Sequence, residues 1–118
     1  FFNVYGPRQD PSNPYSGVIS IFIDRLIKKM PVVVNGGYQT RDFIFVDDVV
    51  KILHRTMSLL YNEQCNLILN VGTGISTTID DLLNLCIDHI GFTPKIINKT
   101  SEYNKEYKDK MKIYNYIC

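Results

Sequence analysis

The sequence predicts an α/β fold of about three helices joined by short strands, and three observations lead there. Three stretches carry apolar residues at helical spacing. Short β-branched and aromatic runs lie before, between and after them. No clean series of long parallel strands with crossovers is visible, so these residues hold no complete doubly wound sheet.

Taken in order, Phe1 to Tyr5 reads as the end of a strand, and the loop Gly6 to Pro14 follows, with three prolines in nine residues. From about Tyr15 to Met30, Val18, Ile19, Phe22, Leu26, Ile27 and Met30 recur at helical spacing, with Asp24, Arg25, Lys28 and Lys29 on the other side. Pro31 to Val34 is a short strand ended by Asn35-Gly36-Gly37, and Asp42 to Val46 is a second. Asp47 and Asp48 suit the start of a helix, where negative charge meets free amides. Val46, Val49, Val50, Leu53, Met57 and Leu60 form its apolar stripe, to about Leu60. Leu67 to Val71 reads as a buried strand. Ile79, Leu82, Leu83, Cys86, Ile87 and Ile90 mark a third helix, opened by Thr78 with Asp81 three residues on and stopped by Gly91. Pro94 to Asn98 is one more candidate strand. After Lys99 the chain turns polar, so residues 1–98 are expected to form the domain and 99–118 a poorly packed tail. A strand that opens at the first residue suggests a piece of something larger.

Composition removes several function classes. The chain has 118 residues, 45% of them hydrophobic, enough for one core. Thirteen basic against twelve acidic residues give a net charge of +1, no field to draw nucleic acid or an anionic membrane. No apolar run approaches a membrane span and no signal-peptide pattern opens the chain, so a cytoplasmic location is expected. Cys65, Cys86 and Cys118 lack the spacing of a zinc site or a redox pair, and no metal site is expected. Asn98-Lys99-Thr100 matches a glycosylation acceptor by chance alone in this setting.

Gly72-Thr73-Gly74-Ile75-Ser76-Thr77 stands between a strand and a helix, as a dinucleotide-binding turn would. Thr77 occupies the place of the third glycine, and Asn98 stands where a ribose-binding acid belongs, so a structural turn capped by Thr77 or Thr78 is the better reading. His54 has no ligand partner at helical spacing and His89 has Cys86 alone, too few for a site, so both read as structural or solvated histidines. No serine sits in a nucleophile elbow, and Asp47-Asp48 is helix-terminus charge rather than a catalytic pair. Asn35 to Phe43 is different, because a glycine turn there delivers Arg41 just before a strand and an acid-led helix. A guanidinium suits a diphosphate, engaging two oxygens with a charge that persists at any working pH. Spacing alone does not separate that role from a surface pairing of Arg41 with Asp42 or Asp48.

Four ordered blocks carry a resemblance: Phe1 to Pro11, Tyr15 to Ile19, Gln39 to Val50, and Asn70 to Gly74. Together they resemble the carboxy-terminal, substrate-binding part of the extended short-chain dehydrogenase/reductase family, the NAD-dependent epimerases and dehydratases, and within it UDP-glucose 4-epimerases most. The resemblance runs from Phe1 to about Gly91. It implies that Asn3 contacts a nucleotide-sugar diphosphate, that Gly17 and Val18 start a helix lying along the nucleotide, and that Val33 and Val34 border the base. It also implies that Arg41 neutralises the diphosphate, which favours binding over the surface pair. In such enzymes NAD is held by an amino-terminal Rossmann half with a Tyr-x-x-x-Lys pair, and dimers form through that half. No tyrosine here is followed four residues later by lysine. The expectation is therefore a UDP-sugar-binding part of a UDP-hexose 4-epimerase-like enzyme, with no catalytic residue, no NAD bound by itself and a missing Rossmann half as partner. A 4,6-dehydratase part is the alternative within the family; a non-catalytic binder or gene remnant is the alternative outside it. Two departures stand out: Asn35-Gly36-Gly37 replaces the usual Gly-Asp-Gly, and Ser101 to Cys118 contains no arginine.

Overall fold

The computed structural model describes residues 1–13, 16–62 and 68–98. In chain order the elements are β1 (Asn3–Tyr5), α1 (Val18–Ile27), β2 (Val32–Val34), β3 (Thr40–Arg41), β4 (Phe43–Phe45), α2 (Val46–Asn62), β5 (Thr77–Thr78), α3 (Ile79–Ile90) and β6 (Ile96–Asn98). The strands pair two by two: β1 with β4 and β2 with β6 in parallel, β3 with β5 antiparallel. This is the small α/β arrangement of three helices and short strands that the sequence predicts.

Each helix follows from its local chemistry. In α1, Phe22 and Leu26 are one turn apart and buried together. The helix opens at Gly17, whose extended backbone leaves its carbonyl to accept from Ser20 and Ile21. It closes at Ile27, short of the expected Met30, because Lys29 takes a left-handed conformation (φ 53°) and Met30 directly precedes Pro31. Helix α2 begins directly from β4, with Asp47 and Asp48 in its first turn. The Thr78 hydroxyl caps α3 by accepting from the Asp81 amide at 3.0 Å and donating to its carboxylate at 2.6 Å. Gly91, left-handed, ends that helix.

Two apolar clusters hold these parts. Phe22, Leu26, Val32, Val34, Ile79, Leu82 and Leu83 join α1, β2 and α3. Ile44, Val49 and Val71 form a smaller group around β4 and the start of α2.

One further expectation is corrected. The strand expected at Leu67 to Val71 does not form over residues 68–71, and Leu67 lies outside the described residues. Val71 accepts one bond from the Phe2 amide and is buried, but Ile68, Leu69 and Asn70 are exposed, and a strand exists only where a neighbour supplies a ladder. Of the α2 stripe, Val50, Leu53, Met57 and Leu60 are exposed and Val49 is buried in the smaller cluster. The pairing of β3 with β5 was not foreseen. The expectations for Tyr15, Cys65 and the tail 99–118 fall outside the described residues.

Candidate functional site

The shortest strands place the polar side chains. Val32 and Val34 point into the core while Val33 stays exposed, as strand alternation requires. Asn3 opens β1, and its Nδ2 donates to the Asp42 carbonyl at 3.2 Å. Between these lies a cavity of about 280 Å³ bordered by Asn3, Val18, Val33, Val34 and Arg41. Five of the six residues singled out from the sequence thus meet at one place. Gly17 is not on its wall but heads the helix that begins with Val18. Phe22 and Ile79 add apolar wall, and Asn35 and Gln39 add polar groups.

A second, more open cavity of about 430 Å³ shares Asn3 and Arg41 with the first, so these two side chains stand on the divide. Gly74, Ile75 and Ser76 form its other side. Asp42 holds that side in place. Its carboxylate accepts from the Thr73 amide at 2.9 Å, the Thr73 hydroxyl at 2.6 Å and the Gly74 amide at 2.8 Å. A Cβ on Gly72 would stand 2.5 Å from that carboxylate, so only glycine allows the approach. The Thr73 hydroxyl, then its amide, hold the Asp42 carboxyl below its ordinary 3.8.

Arg41 forms neither of the surface pairs considered from spacing. Asp42 is committed to Thr73 and Gly74, and Asp48 pairs with Lys51 at 2.9 Å. Among the described residues Arg41 forms no ion pair, and its Nη1 donates to the Thr40 carbonyl at 2.8 Å. An exposed guanidinium on a cavity divide, beside an asparagine amide and above an apolar wall, can meet an anion joined to an apolar or aromatic group.

The sequence model of the NAD dependent epimerase/dehydratase family matches residues 1–72, more than half of the chain. The chain belongs to that family. A putative UDP-glucose 4-epimerase from Methanocaldococcus jannaschii is 39% identical over 109 residues, 92% of this chain and 34% of that protein. The solved structure of the Thermotoga maritima UDP-glucose 4-epimerase with UDP-glucose superposes with a TM-score of 0.72 at 36% identity, over 86% of this chain and 31% of that one. The Thermus thermophilus UDP-glucose 4-epimerase in complex with NAD gives a TM-score of 0.64 at 33% identity, over 81% and 31%. The chain therefore spans about a third of the length of these epimerases.

Family membership implies NAD, and the glycine turn does not fit it. The Thr73 and Gly74 amides, the donors a pyrophosphate would need, are given to the Asp42 carboxylate. Thr78, not Thr77, is the cap that follows. Among the described residues no group of His, Cys, Asp and Glu could hold a metal ion, and no helix is long and apolar enough to cross a membrane.

Sequence reasoning passed over Gln39 and Asp42. An acid directly after Arg41, together with a later Gly-Thr-Gly, was the available signal for the second. The Asp42 clamp makes a pH prediction. Because its folded pKa is depressed, its stabilisation is complete above the ordinary 3.8 and fades as pH falls through the folded value. Thermal unfolding between pH 7 and pH 3 should therefore show a loss below about pH 4 that is smaller in Asp42→Asn; superimposable pH curves for the two proteins would remove the clamp from the account.

Proposed function

We propose that this chain is the nucleotide-sugar-binding part of a UDP-hexose 4-epimerase-like enzyme. Asn3 and Arg41 take the diphosphate, and Val18, Val33 and Val34 border the nucleoside. The observation that carries the reading is the convergence of these residues on one cavity, with an unpaired guanidinium at its edge. The start of α1 at Gly17 has no side-chain cap, and helix-start amides suit phosphate or sugar oxygens. Titration calorimetry with UDP and with uridine at low salt tests it. UDP should bind at least tenfold more tightly, since charge-assisted hydrogen bonds contribute about 1.5–3 kcal/mol; equal affinities would count against a diphosphate site.

On this reading the chain supplies no catalytic residue and no NAD site, and it works with an amino-terminal dinucleotide-binding half in a cytoplasmic enzyme that forms dimers through that half. Support comes from α2, which exposes Val50, Leu53, Met57 and Leu60 at helical spacing, with Ile68 and Leu69 also exposed. Apolar surface so concentrated marks an interaction face. Leu53→Lys with Met57→Lys should make the chain more soluble and abolish co-purification with a family member's amino-terminal half. Undiminished co-purification would place the contact elsewhere.

A further inference from the structure

Gln39 lines the smaller cavity with one end of its amide unused. Its Nε2 donates to the Asn35 carbonyl at 2.6 Å, which fixes the orientation, because the reverse would set two acceptors face to face. Its Oε1 is buried and accepts no hydrogen bond, the single side-chain atom in that condition among the described residues. Such an atom calls for an explanation, since a buried acceptor without a donor is costly. Its position supplies one. Along the extended segment leading into β3, Gln39 and Arg41 are two residues apart and so project to the same side, roughly 7 Å from each other, and both border this cavity. That separation suits the step from a diphosphate to its nucleoside.

We infer that Gln39 is a specificity-determining residue whose Oε1 accepts a hydrogen bond from the nucleoside of the bound nucleotide sugar. The assignment rests on the reading of this cavity as a nucleotide site. Two parts of a uridine can donate: the base N3–H and the ribose hydroxyls. Cytosine offers a lone pair at N3 in place of the proton, and a deoxyribose lacks one hydroxyl, so analogues separate the two. Of the polar groups on this cavity's wall, Gln39 Oε1 is the buried acceptor without a donor, which gives it weight in selection.

The test is calorimetric titration of the full chain and of Gln39→Met with UDP, 2′-deoxy-UDP, 3′-deoxy-UDP and CDP. The wild-type chain should prefer UDP over one analogue by about tenfold, and Gln39→Met should lose that preference while binding the analogue as before. A weak CDP identifies the base N–H as donor; a weak deoxy analogue identifies the missing hydroxyl. A purely structural Gln39 would lower all four affinities together and keep their ratios, which overturns the assignment and leaves the nucleotide site standing. Failure of a folded wild-type chain to bind any of the four overturns the nucleotide-site reading and the assignment with it. A measurement that needs no variant is the side-chain amide signal of Gln39 in nuclear magnetic resonance. It should move on saturation with UDP, and a stationary signal refutes the inference.

Discussion

Arg41→Ala is expected to weaken UDP binding by about ten- to hundredfold while leaving uridine binding unchanged. The size follows from a charge-assisted hydrogen bond, about 1.5–3 kcal/mol, at roughly 1.4 kcal/mol per tenfold. The neighbours are what leave the guanidinium available. Asp42 directs its carboxylate to Thr73 and Gly74, and Asp48 is held by Lys51, so neither competes for the Arg41 donors. Arg41→Lys should recover only part of the affinity, because an ammonium brings the charge without the planar fork. Added salt should weaken UDP binding to the wild-type chain more than to Arg41→Ala, since Arg41 is exposed and its attraction is screened. Titration of the three proteins at two salt concentrations checks all of this, and an alanine variant that binds UDP like the wild type would take Arg41 out of the site.

Gly37→Ala is expected to destabilise the fold by about 2–6 kcal/mol, the sum of a strained left-handed residue and an overpacked contact. Gly37 is buried at φ 84°, and a Cβ there would run into the Asp80 carboxylate. Its carbonyl also accepts from the Asp80 amide at 3.0 Å, while the Gln39 carbonyl accepts from Ile79 at 3.1 Å. Two of the free amides at the start of α3 are thus satisfied by this turn, so moving it uncaps the helix. Denaturant unfolding should show a lower midpoint with an unchanged slope. Gly74→Ala is the comparison: it shares the left-handed backbone, at φ 76°, and a Cβ there meets nothing within 4 Å, so it carries the backbone strain without the Asp80 contact.

The helices were legible because their signals are local. Phe22 with Leu26, and Thr78 with Asp81 and Gly91, need nothing beyond their own segment. The strands were legible only where β-branched residues also had a partner. Val32 to Val34 found Ile96 to Asn98, whereas Ile68 and Leu69, equally apolar, are exposed outside any strand. Composition cannot report whether a ladder partner exists. Thr40-Arg41 and Thr77-Thr78 were invisible as strands because two-residue pairings carry no periodicity at all. The candidate site became legible through the family resemblance rather than through spacing, which left Arg41 undecided. Asp42 and Gln39 were missed for a physical reason: each acts through atoms contributed from elsewhere, Thr73 in one case and the Asn35 carbonyl in the other.

The strand pairings also set the order in which this chain can assemble. Asn3 pairs with Phe43, Val32 with Ile96 and Thr40 with Thr78, and no strand pairs with its immediate neighbour in sequence. A hairpin that could zip from its own turn is therefore absent among the described residues, and every ladder waits for a long loop to close. Helices α1, α2 and α3 can form on their own segments well before that. The smaller cavity takes walls from β1, β2, β3 and the starts of α1 and α3, so it exists only once the slowest closures are complete. A ligand that fits it therefore meets the chain only after those ladders have closed.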